Sequence, residues 1–238
     1  MRSGRDVTSA SSVIVLRPAA LGGFEVLLTR CGEPTTAPRD SFGCPTGVVA
    51  QADFQEAMLR RCRGMAAEAA QEIIGAHISP ARALGFWIAA MRVLFEEVGI
   101  LLSVGQDGKR IGVNNPAYCT TLGEPQSLPQ ESVGFRALLE AADLFGDAAR
   151  LAYFSHWQWS ESSDPPLDAR FFLTRLARND FSGSFSREPQ GSLWITPDRA
   201  LHLCQQNQIR LSFPIFASLR TLADFDSIDA ISAQYRLV

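Results

Sequence analysis

The chain has 238 residues, of which 46% are hydrophobic and 20% charged, a composition typical of a globular protein large enough to bury a sizeable core. Its net charge of −3 provides no basic field for nucleic acid, and it has no run of about 18 apolar residues, so no membrane span is expected. Five scattered cysteines without a Cys-x-x-Cys pair favour reduced thiols in the cytoplasm over a disulfide framework or a zinc site.

The first predicted elements form a β-hairpin. Ser12 to Arg17 and Phe24 to Thr29 are short β-branched or apolar runs, and the Leu21-Gly22-Gly23 segment between them is typical of a turn. Glycines and prolines from Arg30 to Gly47 then predict a loop.

Residues 54–79 have apolar side chains near helical spacing, which predicts one helix or two. Ser79-Pro80 is typical of a further helix start, with proline in the first turn.

The stretch from Ala90 to Leu102 organises the chain. As a helix, it places on one arc the apolar residues Ile88, Met91, Leu94, Phe95 and Val98. The opposite arc carries Arg92, Glu96 and Glu97, with Val93 between the two glutamates. Gly99 suits the left-handed position that ends a helix, and residues 100–104 can continue as a strand.

Two adjacent carboxylates, Glu96 and Glu97, are oxygen ligands suited to a hard cation such as Mg²⁺. The alternative is a solvated polar face on which Arg92 and Glu96 form an i,i+4 ion pair.

The second half alternates loops with regular elements. Residues 103–134 and 179–191 are rich in loop formers, and Thr196-Pro197 predicts a capped helix start. The predicted elements are a helix over 135–144, strands over 151–159 and 168–176, a short strand over 192–196, a helix over 198–206 and a last helix over 211–222.

Two stretches resemble the Nudix box, whose pattern is Gly-x5-Glu-x7-Arg-Glu-hydrophobic-x-Glu-Glu-x-Gly-hydrophobic. Residues 92–100 match its second half except at Val93, where the family has glutamate. Residues 42–49, FGCPTGVV, resemble its entry, with Gly47 at the box-opening glycine and Thr46 replacing the preceding glycine.

The spacing between Gly47 and Arg92 far exceeds the family pattern, which implies a helical insertion over about residues 50–87. Such a split box is similar to the coenzyme A diphosphatase-like branch, of the nudix motif nineteen type, whose members also carry an Asp-x-Arg-Phe-Phe run like residues 168–172. The resemblance implies one Nudix domain over 1–238, an α/β fold in which an α/β/α sandwich has a mixed sheet.

The resemblance also implies a function. Nudix enzymes cleave a diphosphate linked to another moiety, with Mg²⁺ or Mn²⁺. Glu96 and Glu97 would be catalytic metal ligands and Arg92 the arginine that orients a glutamate, while Arg30 and Gly47 would contact a small-molecule substrate, with coenzyme A or acyl-CoA as the first candidates.

Val93 leaves two hypotheses open, because an isopropyl group neither binds a cation nor accepts a proton. One is a metal-dependent diphosphatase, with Glu161 or Glu188 as a possible replacement carboxylate. The other is a catalytically impaired domain that binds a nucleotide, a coenzyme A-like ligand or a protein without hydrolysis. The sequence does not indicate an oligomeric state.

Overall fold

The computed structural model describes residues 7–31, 40–111, 132–159, 167–176 and 191–237. Within these ranges the strands are β1 Thr8–Pro18, β2 Phe24–Arg30, β3 Ser41–Gly43, β4 Thr46–Val48, β5 Cys62–Arg63, β6 Ser103–Val104, β7 Phe145–Asp147, β8 Ala152–Trp159, β9 Leu167–Arg175, β10 Leu193–Ile195 and β11 Arg210–Leu211. The helices are α1 Glu56–Leu59, α2 Ala67–Ile74, α3 Pro80–Val98, α4 Ser132–Ala141, α5 Pro197–Gln205, α6 Phe213–Leu222 and α7 Ile228–Tyr235.

The main sheet has the strand order β11-β3-β2-β1-β9-β8, with β4 paired to β1 and β10 to β2. Strands β1 and β2 form the predicted antiparallel hairpin, whereas β1 and β9 run parallel. The sheet is therefore mixed. A second, three-stranded sheet has the order β5-β7-β6.

Two apolar layers cover the main sheet because successive side chains of a strand point to opposite faces. Val13 and Val15 of β1 pack into a cluster with α2, α3 and α4, while Ile14 and Leu16 pack into another with α5, α6 and α7. Helices thus lie on both faces, and the predicted α/β/α sandwich with a mixed sheet is what the structure shows.

Helix α3 lies in one of these layers and is nearly surrounded by protein. The five apolar residues predicted to face the core are each at most 8% exposed: Ile88, Met91, Leu94, Phe95 and Val98. The arc predicted to be polar is also partly covered, since Arg92 is 7% and Val93 2% exposed. The solvated-face alternative therefore fails for Arg92.

The ends of α3 follow the local sequence signals. The Ser79 hydroxyl accepts a hydrogen bond from the Arg82 amide at 3.4 Å, Pro80 lies in the first turn, and Gly99 ends the helix at a φ of 71°. The helix is continuous over all 19 residues, so residues 80–87, which were predicted to belong to an insertion, are the first turns of the helix that carries the two glutamates.

Other elements differ from the predicted ones at their boundaries. The region 54–79 contains two helices, α1 and α2, as predicted, and also strand β5, which was not predicted. The strand predicted over 100–104 is restricted to β6. Strand β7 and the C-terminal helix α7 were not predicted. None of the helices in the described ranges is long and apolar enough to cross a membrane.

Candidate active site

A buried network around Arg92 connects α3 to the segment that follows β4. Nε and Nη2 of Arg92 donate to the two carboxylate oxygens of Asp53, each at 2.9 Å. Nη1 donates to Glu96 Oε2 at 2.8 Å, and Nη2 also donates to the Val48 carbonyl at 2.8 Å. Asp53 is 1% exposed and accepts the Ala50 amide at 2.8 Å. A bidentate pair held in this way fixes the guanidinium, and through it the Glu96 carboxylate.

Asp53 was not among the residues predicted from the sequence. It lies in a 3-10 turn over Gln51–Phe54, six residues after Gly47. The family pattern has a glutamate six residues after its opening glycine, so the Gly47-x5-Asp53 spacing was a signal that could have identified it. Asp53 lies inside the range predicted as an insertion, and it reaches Arg92 because the turn that carries it packs against α3.

Glu97 is held from the sheet side. The Thr46 amide donates to Glu97 Oε1 at 3.3 Å. The Thr46 hydroxyl forms hydrogen bonds with Ser12 Oγ and the Cys44 carbonyl, both at 2.8 Å, which tie this strand end to β1. The contact to Glu97 is made by a backbone amide, so replacing the family's glycine with threonine leaves it possible.

The two carboxylates have raised pKa values. The protein packed around Glu97 removes water and raises its pKa to about 7, an effect that the Thr46 amide offsets and the Glu96 charge reinforces. Burial also raises the pKa of Glu96, against the opposing effect of Arg92. Glu97 remains open to solvent on one side. It is therefore accessible to a ligand and titrates near neutral pH.

Val93 packs directly on Gly47, at the position where the family carries a glutamate. A Cβ added to Gly47 would lie 2.3 Å from Val93 Cγ2. Glycine is therefore required here for the close approach of β4 to α3. The Val93 methyl groups fill the space beneath the strand, and no carboxylate stands at this position.

The described residues supply a limited donor set for a cation. Arg92 takes one oxygen of Glu96 and Thr46 one oxygen of Glu97, which leaves one carboxylate oxygen on each without a described partner. Within the described ranges, no group of three or more His, Cys, Asp or Glu side chains is arranged to hold a metal ion. Mg²⁺ usually keeps several waters and completes its shell with substrate phosphates. The pair therefore fits such a partly hydrated cation and does not fit a preformed cage.

Arg30 is not brought to this group. Its guanidinium lies 5.7 Å from the centre of the Phe42 ring. On β2 it shares a face with Leu28, which packs in the layer of α5, α6 and α7. Glu96 and Glu97 lie in the opposite layer, so the substrate contact assigned to Arg30 stays a prediction without support from this geometry.

Two thiols lie near the carboxylates instead. Burial raises the pKa of both Cys31 and Cys44, and the charge of Glu97 raises each further. Cys44 is 6% exposed, so the sequence-based suggestion of a reactive thiol does not fit its surroundings. The other predicted carboxylates, Glu161 and Glu188, lie outside the described residues.

Solved structures of Nudix proteins share this fold. The crystal structure of a NUDIX hydrolase from Alicyclobacillus acidocaldarius aligns with 97% of this chain and 97% of its own, with a TM-score of 0.74 and 18% sequence identity. At this identity the match shows the fold alone, and it confirms the predicted fold class.

Two further structures superpose too poorly to carry an argument. A mutT/nudix family protein from Listeria innocua covers 98% of this chain and 100% of its own at 13% identity, with a TM-score of 0.45. A C. elegans Ap4A hydrolase binary complex covers 96% and 100% at 14% identity, with a TM-score of 0.44. No family model matches the sequence, and no curated protein is similar to it.

Proposed function

We propose that this chain is a Nudix-type hydrolase that cleaves a diphosphate bond in a nucleoside diphosphate-linked small molecule by metal-assisted attack of water. The observation that carries the proposal is the pair Glu96 and Glu97 on α3, each fixed through one oxygen and each with the other oxygen unpartnered among the described residues. Their support by Arg92 and Asp53 corresponds to the second half and the first half of a Nudix box.

Each residue has a distinct task in this proposal. A bound Mg²⁺ or Mn²⁺ would neutralise phosphate oxygens and lower the pKa of an attacking water. Glu96, positioned by Arg92, and Glu97, positioned by the Thr46 amide, would hold the cation. Glu97 is also the candidate to accept a proton from water, because one of its carboxylate oxygens has no described partner.

Coenzyme A or an acyl-CoA is the first substrate candidate. Its support is the resemblance of the split box and of the Asp168-x-Arg170-Phe171-Phe172 run, which the structure places in β9. The described residues assign no contact to an adenosine or pantetheine group. We place the protein in the cytoplasm, because the cysteines of the described ranges are free thiols.

The test is incubation of the purified protein with coenzyme A, acetyl-CoA and a panel of nucleoside diphosphate compounds, with Mg²⁺ or Mn²⁺. We expect phosphopantetheine and adenosine bisphosphate as products from coenzyme A. The Glu97→Gln variant should lose at least about 10²-fold in rate. Glu140→Gln, an exposed change on α4, is the matched control and should be unaffected. Hydrolysis that survives both Glu96→Gln and Glu97→Gln would contradict the proposal.

A second candidate function is binding without hydrolysis. It is favoured by Val93, which is buried against Gly47 and leaves two carboxylates where the family pattern has three. Tight binding of a panel compound with no product after prolonged incubation of folded protein would support this function over the first.

A further inference from the structure

A second polar cluster lies on the α3-facing side of β8 and β9. The Asp168 carboxylate is its centre. It is hydrogen-bonded to His156 Nε2 and to Arg170 Nη1, and it accepts Gln158 Nε2 at 3.2 Å. The candidate active site does not use any of these residues.

Arg170 is the least satisfied member of the cluster. It is 2% exposed, and its guanidinium lies 4.7 Å from the centre of the Phe86 ring. Both of its hydrogen bonds are made by Nη1, to the Asp168 carboxylate and to the Asp168 carbonyl, whereas buried Nε has no partner and Nη2 makes no hydrogen bond to a described residue. The Nε–Nη2 edge is the fork with which arginine binds an oxyanion through two parallel hydrogen bonds.

Arg82 brings a second cation to the same face. Its Nη2 donates to Ser9 Oγ at 3.1 Å, and Ser9 is paired with Asp168 in the parallel register of β1 and β9. Arg82 is exposed and has no carboxylate partner among the described residues. This face therefore carries the guanidinium groups of Arg82 and Arg170 and the one carboxylate of Asp168, so these three side chains have a net positive charge.

We propose that Arg82, His156 and the unpaired edge of Arg170 form a binding site for an oxyanion, a phosphate or carboxylate group of a small molecule. His156 holds one ring nitrogen on Asp168 and has a side chain 39% exposed, so its other nitrogen can reach a ligand. The site is distinct from the carboxylate pair, because Arg82 and Glu96 are fourteen positions apart on α3, a separation of about 21 Å along the helix.

The alternative is that the cluster only joins the two strands. If the cluster only joined the strands, its positive and negative charges would balance and every buried N–H group would have an acceptor. Burial alone would raise the pKa of Asp168, but the hydrogen bonds from His156 and Arg170 lower it, so its charge persists and offsets one guanidinium. The Arg82 guanidinium and the unpaired Nε–Nη2 edge of Arg170 remain for a ligand.

The test measures the thermal unfolding midpoint of the full chain in EDTA as a function of inorganic phosphate, with acetate as a second arm and chloride at equal ionic strength as the reference. Chelation removes metal-mediated phosphate binding at Glu96 and Glu97, so the result does not depend on the proposed hydrolysis. A site that binds the folded state gives a saturable rise of the midpoint, from which an apparent Kd follows.

We expect Arg82→Gln and His156→Gln each to raise the apparent Kd for phosphate by about tenfold. Arg199→Gln, an exposed change on α5 away from the cluster, is the matched control and should leave it unchanged. If acetate and phosphate both give a saturable rise of the unfolding midpoint, the site is a general oxyanion site. If phosphate alone gives it, the site is a phosphate site. No saturable effect of either anion, or an effect that both variants retain in full, overturns the proposal.

Asp168→Asn separates ligand binding from strand joining. It removes the negative charge, so the folded protein should be less stable in chloride, bind phosphate more tightly and recover its midpoint as phosphate is added. A midpoint that stays low in phosphate would show that Asp168 only joins the strands and would count against the site. If this variant does not fold, the two glutamine variants decide the question.

Discussion

Two single residues, Val93 and Asp53, have opposite effects on the carboxylate pair Glu96 and Glu97. Val93 is buried against Gly47 and offers only methyl groups, whereas Asp53 supplies a buried charge that holds Arg92. In the proposed hydrolase, Val93 leaves the site one carboxylate short, and Asp53 fixes the arginine that positions Glu96. The two carboxylates are thus held in fixed positions, but they offer a cation few ligand atoms.

Restoring a carboxylate at position 93 should strengthen this site. In Val93→Glu the new Cγ occupies the space of one methyl group beside Gly47, and the carboxylate joins Glu96 and Glu97. We expect Mn²⁺ to bind about 10- to 100-fold more tightly, since loss or gain of a ligand changes metal affinity by that order. Isothermal titration with Mn²⁺ measures the change, and hydrolysis of the preferred substrate should rise in parallel.

Val93→Gln is the control for that change because it has the same shape without the charge. It should bind Mn²⁺ no better than the unaltered chain. Equal gains from glutamine and glutamate, or no gain in a folded Val93→Glu protein, would contradict the assignment of Glu96 and Glu97 as metal ligands.

Glu97 should make stability depend on pH in a defined direction. Its pKa rises from an ordinary 4.5 in the unfolded chain to about 7 in the folded one, so folding favours its neutral form. Its contribution to stability is fully present below pH 4.5 and is lost as the pH rises to about 7. In EDTA, urea unfolding should show the stability of the unaltered chain falling relative to Glu97→Gln across that window. If the free energies of unfolding of the two proteins changed with pH in the same way, the raised pKa of Glu97 would be contradicted.

At the scale of elements, the site is built where β4 meets α3. Strand β4 pairs with β1 and passes directly over Val93, which brings the Thr46 amide to Glu97 and the Val48 carbonyl to Arg92. The approach is this close because position 47 has no side chain.

Gly47→Ala should therefore destabilise the protein. Adding Val93→Ala to that variant should remove the steric conflict and restore part of the lost stability. The added methyl group would meet Val93 Cγ2 at 2.3 Å, an overpacking that costs about 1–3 kcal/mol. Gly47 does not adopt a positive φ, so the loss comes from contact and not from backbone strain. The double variant should be more stable than the sum of the two single changes predicts, by about 0.5–3 kcal/mol. Urea unfolding of all four proteins measures this coupling, and strict additivity would refute the contact.

At the scale of the whole molecule, both helical layers pack on one sheet. Val13 and Ile14 are neighbours on β1 and belong to different layers. Neither layer can leave the sheet without exposing its apolar face, which would make unfolding cooperative.

The chain should accordingly unfold as a single domain. Far-ultraviolet circular dichroism, which follows the helices, and tryptophan fluorescence, to which buried Trp87 contributes, should give the same urea midpoint. Two separated transitions would show that the insertion or the C-terminal helices form a separate folding unit, and would contradict the prediction of one domain.

The sequence by itself determined the hairpin, the capped start of α3 at Ser79-Pro80, its end at Gly99 and the apolar arc that faces the core, because these depend on local backbone preference and periodicity. Its resemblance to the Nudix box also predicted the fold class. Only the tertiary structure showed that Asp53 supports Arg92, that Val93 is buried under Gly47, and that Arg30 faces the other layer. These facts are contacts between strands and helices far apart along the chain. The Gly47-x5-Asp53 spacing could have marked Asp53, but a local pattern does not specify which distant side chain such a residue contacts.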